Sequence, residues 1–162
     1  MSTRATSGTN FNDGTDTARV GYESATGGLS RSFFTVDWEP SMKGARVTEA
    51  YFYALETYSW SCTPKPVELW LTGAISSGTT WNTRPAWSGK IESVDAAHGY
   101  SSSCPDGYVR FTTTATDHGW PTVTLGMRGH GREVLLSLEE VQGRRLQRAV
   151  HEGHVQPCPA RP

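Results

Sequence analysis

Between residues 18 and 128 the chain is cut into short apolar or alternating runs by clusters of Gly, Pro, Ser and Asn, and this punctuation constrains its fold more than any other feature. Runs of that length, rich in β-branched and aromatic residues, read as strands, and a succession of them separated by turn residues is the pattern of a sandwich or barrel. The expected strands are Ala18–Tyr22, Arg31–Asp37, Arg46–Thr57, Pro66–Leu71, Val109–Thr112 and Thr122–Arg128. Within Arg46–Thr57, Val47, Ala50, Phe52 and Ala54 form one face to be buried, with Glu49, Tyr51, Tyr53 and Leu55 mostly on the other. A helical reading of that segment loses to its β-branched and aromatic content. Thr113–Gly119, preceding Trp120, is either one helical turn or a loop leading into Thr122–Arg128.

The 162 residues, 36% hydrophobic and 19% charged, suffice for one domain with a real core but not for two. A formal charge of −1, with no Lys/Arg run beside an aromatic platform, disfavours nucleic acid as a partner. No stretch of about 18 apolar residues is present to span a bilayer. The start MSTRATSGTNFND has neither the charged nor the apolar region of a signal peptide, so either the chain is cytosolic or this is not its natural N-terminus. Cysteine placement favours the second. Cys62 and Cys104 lie in the polar segments SWSCTPKP and SSSCPDG, whereas a free thiol is usually buried among apolar neighbours. A Cys62–Cys104 disulfide is expected ahead of two free thiols or a partial metal site, since a metal would need further ligands at a CxxC or HxxxH spacing. An oxidising compartment follows from a disulfide, and with it a lost or displaced signal peptide.

After Gly129 the pattern changes. Val134, Leu135, Leu138, Val141, Leu146, Ala149 and Val150 recur at helical spacings in a charged background, which predicts an amphipathic helix over Glu133–Glu152. An all-β domain ending in such a helix and then HVQPCPARP has switched from one periodicity to another within a few residues.

The runs GLSRSFFTVD, KGARVTEAYFYALET and VELWLTGAISSGTTWNTRPAW, in that order, carry a Phe-x-x-Asp strand end, a Gly-Ala-x-Val-x-x-Ala strand and a Thr-Trp-Asn-x-x-Pro loop containing Trp81, Asn82 and Pro85. Together they resemble the DNRLRE family of secreted bacterial modules, over about residues 8 to 128. The resemblance implies a jelly-roll-like β-sandwich from a large secreted actinobacterial protein, beside lectin-like or repeat domains. Some members of that family are classed as carbohydrate-binding modules.

Members of that family usually close with a Trp-Lys-Lys-Phe segment and a final strand reading like Val-Thr-Tyr-Asn, and neither occurs here. Codon arithmetic accounts for the loss. If Leu138 is CTG, Glu139 and Glu140 are GAA, Val141 is GTT and Gln142 is CAA, reading one nucleotide later gives Trp-Lys-Lys-Phe-Lys. Continuing with permitted codons through Arg161 yields WKKFKGDGFSAPSMRVTYNRAPPG, which restores both elements. The expectation is a frameshift shortly after Met127, a module at residues 1–128, and a tail at residues 129–162 that is an out-of-frame translation with a non-native helix. A genuine helical appendage is the alternative. At the other end, GTNFNDG followed by ARVGY resembles the middle of the family's first hairpin, which places the opening strand before Met1. The fold class expected is therefore an all-β sandwich that is incomplete, with edges left unpaired.

Residues for catalysis are sparse. His98 and His118 are the histidines of the family-like body, and a loop histidine is mostly structural or solvated. Glu56, Glu68, Asp37 and Asp95 read as solvated faces or turn acceptors. Asn12-Asp13-Gly14-Thr15-Asp16 is superficially like a calcium loop but lacks the distal bidentate acid. No enzyme activity, metal or cofactor is expected.

Sugar binding is better founded, because flat aromatic rings stack on pyranose faces while neighbouring polar groups bond the hydroxyls. Of six Trp and six Tyr, Trp70 and Trp81 are expected to be packed, while Trp38 and Trp87 sit at turns beside Pro40 and Pro85. Tyr58 and Trp60 lie beside Cys62, and Tyr100 near Cys104, so a disulfide would gather three rings at one loop edge. That cluster is either a ligand surface or a shield over the disulfide. The reading that the resemblance implies is a non-catalytic carbohydrate-binding or cell-surface adhesion module, extracellular, with a polysaccharide or neighbouring domains of a parent protein as partners. The alternatives are a structural spacer without a small ligand, a non-functional frameshifted fragment, and a hydrolase fragment, which would need two facing carboxylates in a cleft.

Overall fold

The computed structural model describes residues 2–3, 18–23, 28–38, 40–43, 50–113, 121–129 and 136–138. Nine strands run through them: β1 (Ser2–Thr3), β2 (Ala18–Glu23), β3 (Gly28–Asp37), β4 (Ala50–Glu56), β5 (Lys65–Thr72), β6 (Trp87–Ala96), β7 (Gly107–Thr113), β8 (Thr122–Gly129) and β9 (Leu136–Leu138). A short 3-10 turn at Pro40–Met42 follows β3.

All pairings are antiparallel, and they build two sheets. One has the order β6-β5-β8-β3 and the other β2-β9-β4-β7. Strands that alternate between two sheets in these orders have jelly-roll connectivity, so the all-β sandwich expected from the sequence is the fold found. The sheets are joined along one side by β2, whose first half pairs with β9 (Ala18↔Leu138, Val20↔Leu136) and whose second half pairs with β3 (Gly21↔Ser30, Tyr22↔Leu29). The change of partner falls at Gly21, where a φ of 106° is open to glycine and strained for other residues.

Period-two alternation sends one side of each strand into the space between the sheets. Val67 and Leu69 of β5 and Val123, Leu125 and Met127 of β8 enter from one sheet, and Val20, Ala54, Val109 and Phe111 from the other. Rings bridge the layers: Phe34 of β3 and Phe52 of β4 stand 5.6 Å apart, and Phe52 lies 6.3 Å from Phe111, its cross-strand partner on β7. Burying such side chains contributes roughly 1.5–3 kcal/mol each. On the side opposite the β2–β3 hairpin, Glu92 of β6 accepts a hydrogen bond from the backbone N–H of Thr112 on β7, tying the two outer strands together.

The predicted face of β4 is found, with Ala50 and Ala54 buried and Phe52 packed on the core; Val47 and Glu49 lie outside the described residues. Strand β6 was not predicted. Its pairing with β5 shifts register between Leu69 and Trp70 and again between Leu71 and Thr72, and such irregularities erase the alternation that marks a strand in sequence.

The amphipathic helix expected over Glu133–Glu152 is corrected at its start, because Leu136–Leu138 form β9. Main-chain hydrogen bonds to β2 on one side and to Glu56 of β4 on the other hold this short apolar run extended. The rest of that helix, Thr113–Gly119 beyond residue 113, and the Asn12–Asp16 segment lie outside the described residues. Strand β8 ends at Gly129, one residue past the boundary expected at 128. Among the described residues no helix is long and apolar enough to cross a membrane.

Candidate functional site at the stapled loops

Strand register brings the two cysteine-bearing loops together. Glu56, the last residue of β4, pairs with Gly107, the first of β7, while Lys65, the first of β5, pairs with Ala96, the last of β6. Residues 57–64 and 97–106 therefore emerge from the same end of the sandwich. Cys62 and Cys104 are disulfide-bonded across it, with Cα atoms 5.8 Å apart, inside the usual range.

Each loop is fixed internally as well. The main-chain N–H of Cys104 donates to the carbonyl of Ser101 (2.9 Å), that of Tyr100 to Cys104 (3.1 Å) and that of Gly99 to Pro105 (3.1 Å), which makes 99–105 a miniature hairpin. The hydroxyls of Ser101 and Ser103 are 2.8 Å apart, and each lies 3.9 Å from Cys62 Sγ. In the other loop the buried Ser59 donates its hydroxyl to the carbonyl of Ser61 (3.1 Å), and the Ser61 hydroxyl accepts from the N–H of Thr63 (3.2 Å).

Three rings predicted from sequence stand on this scaffold and face water: Tyr58 is 40% exposed, Trp60 38% and Tyr100 54%. Tyr58 and Trp60 meet edge to face, centroids 5.7 Å apart. Tyr108, at the start of β7 and 58% exposed, was not foreseen. It packs edge-on against Tyr53, which in turn lies 6.1 Å from Tyr51. These four are the large hydrophobic side chains most exposed among the described residues, and all belong to the stapled loops or the strand that leaves them.

Beneath the loops lies a carboxyl group that sequence reading placed in solvent. Glu56 is fully buried, and neither carboxyl oxygen meets a donor at full hydrogen-bond geometry, the backbone amide of His98 being the group that acts on it. Burial pushes its carboxyl up to about 7, with the backbone amide of His98 acting weakly the other way. The signal was parity: Glu56 shares the inward face of β4 with Ala50, Phe52 and Ala54.

Glu68, also read as solvated, is likewise corrected: it is 6% exposed and anchors a second cluster, on the outer face of the β6-β5-β8-β3 sheet. Its carboxylate accepts from Trp70 Nε1 (2.8 Å) and Arg128 Nε (2.9 Å), with Lys90 Nζ 3.5 Å away. The Arg128 guanidinium lies over Trp70 and Trp87, and Arg31 over Trp81 and Trp87. Arg31 is held below its ordinary pKa by burial first, then by Arg84 and Arg128. Trp70 therefore packs on the outer face and not in the central core, because its parity on β5 is opposite to that of Leu69 and Leu71.

The Thr-Trp-Asn-x-x-Pro segment forms a compact loop against this face. Thr80 and Thr83 hydroxyls each accept from the other's N–H, Arg84 stacks on Trp81 and donates to its carbonyl, Asn82 is exposed, and Pro85 is half-buried. Trp87 opens β6, and Trp38 follows β3 and packs on the core.

Among the described residues no group of three His, Cys, Asp or Glu side chains could hold a metal ion. Searched against protein-family models, curated proteins and solved structures, the chain matches none of them.

Proposed function

We propose that this chain is a non-catalytic carbohydrate-binding or adhesion module of a larger secreted bacterial protein, with Tyr58, Trp60 and Tyr100 as its ligand surface. The observation that carries this reading is the placement of the exposed rings on two loops held by a disulfide, hydrogen bonds and a buried serine. Aromatic groups fixed before contact lose little entropy on binding, and stacking on a sugar then adds to the hydrophobic term. The disulfide supports an oxidising compartment, and the sequence resemblance to DNRLRE modules supports the class of ligand and the bacterial, actinobacterial setting. A polysaccharide or adjoining domains of the parent protein are the partners in this reading, and no enzyme activity is assigned.

A spacer role is favoured by one observation: Tyr58 and Trp60 pack on each other beside Cys62, as rings shielding a disulfide would. A glycan array probed with the chain separates the two. Binding lost in Trp60→Ala and Tyr100→Ala supports the ligand surface, and no bound glycan supports the spacer. The missing closing motifs are read as a frameshift after Met127, and the nucleotide sequence at about codons 125 to 140 tests that reading by encoding Trp-Lys-Lys-Phe in the next frame or not. A confirmed frameshift would assign the binding function to the intact parent.

A further inference from the structure

We infer that the stapled loops select an uncharged, soluble polysaccharide strand rather than a crystalline surface or a polyuronate. The inference rests on the carbohydrate-binding reading above and narrows it from two independent features, ring geometry and local charge.

Tyr58 and Trp60 are inclined at 78° to each other. Two rings nearly perpendicular cannot both lie flat on one plane of sugars, as a crystalline polymer face requires. One ring can stack on a pyranose face while the edge of the other borders the same sugar, and the loop joined through the disulfide carries the exposed Tyr100. Such an angular site suits a separate strand with both faces accessible.

Charge then sets the class of strand. Residues 57–64 and 97–106 contain no lysine or arginine. The adjoining strand ends add Lys65 and Asp95, and the loops themselves carry the exposed Asp106, so acids outnumber bases at this end of the described residues before the buried Glu56 is considered. A chain of carboxylated or sulfated sugars approaching the rings would meet more acids than bases, Lys65 being outnumbered by Asp95 and Asp106, and would be repelled. The hydroxyls of Ser61, Ser101 and Ser103 are suited to neutral sugar hydroxyls instead. Three arginines are held away from the loops, Arg31, Arg84 and Arg128 lying against tryptophan rings on the outer sheet face, and Arg110 lies over Tyr51 further along β7.

Native affinity electrophoresis of the full chain through gels containing hydroxyethylcellulose, galactomannan, alginate or polygalacturonate tests this, beside a pull-down on microcrystalline cellulose and chitin. The expected result is retardation by a neutral soluble polymer, unchanged at about 0.5 M salt, with no capture by the crystalline solids. Trp60→Ala should weaken it about tenfold or more while the far-ultraviolet signal of the strands persists. Retardation confined to alginate or polygalacturonate and abolished by salt would overturn the ligand class and leave the carbohydrate reading standing, and capture by the crystalline solids would overturn the angular site. No interaction with any of these polymers would remove the carbohydrate reading and this inference with it.

Discussion

The imidazole of His98 lies against Gly107 so closely that a β-carbon there would stand 2.5 Å from Nδ1. Because Gly107 is the register partner of Glu56, this contact sets the root of both stapled loops. Replacing a strand glycine with alanine normally gains a few tenths of a kcal/mol or more. Here Gly107→Ala should instead cost about 1–3 kcal/mol by overpacking. In a His98→Ala background the same change should become neutral or stabilising. Denaturant unfolding of the four proteins in a double-mutant cycle measures the coupling.

Glu56 predicts an unusual pH dependence. Its carboxyl holds its proton up to about pH 7 in the fold and to 4.5 when unfolded. Between those values the folded state binds more protons, so stability falls as pH rises through that window and is level above it. The shift corresponds to roughly 3 kcal/mol. Glu56→Gln should abolish the slope, leaving a variant similar to the parent at about pH 4 and more stable at about pH 8, as read from thermal melts across pH.

The disulfide closes a loop of 42 residues. On the chain-entropy model a crosslink of that span stabilises by about 4 kcal/mol. Cys62→Ser with Cys104→Ser, or reduction of the parent, should lower the guanidinium midpoint accordingly while the far-ultraviolet signal of the strands persists in the absence of denaturant.

Arg128 and Lys90 both approach Glu68 and should differ sharply in effect. Arg128 sits 4.2 Å from the Trp70 ring centroid with its side chain largely buried, whereas the Lys90 side chain is half exposed. Arg128→Met strips a nearly buried carboxylate of its closest cation and should cost about 3 kcal/mol. Lys90→Met should cost less than about 1 kcal/mol. Chemical unfolding of the two variants compares them directly.

Most of the fold was legible because each face of a strand has its own requirement for polarity. Strands β2 to β5, β7 and β8 fall within a few residues of where alternation and turn residues place them. Strand β6 was hidden by two register shifts, and β9 by a run of leucines equally compatible with a helix. At the candidate site, polar sequence around Cys62 and Cys104 was enough to pair the two cysteines, and so to join the loop that carries Tyr58 and Trp60 to the one that carries Tyr100. The burial of Glu56 and Glu68 was not read, since an acid on an inward or covered face looks the same in sequence as one in water. The arginine–tryptophan stack joins residues from β3, β5, β6, β8 and the loop before β6, and pairings so distant along the chain leave no local pattern.

Sheets that end in bare backbone invite strands from other molecules. Here the two sides of the sandwich are sewn shut by different means. On one, a single ribbon turns at Gly21 and serves both sheets; on the other, the carboxylate of Glu92 plugs the amide of Thr112 where a foreign strand would dock. A side chain that occupies a main-chain hydrogen-bonding position works as a guard, and it keeps the molecule's neighbours from reading that stretch of β7 as a template.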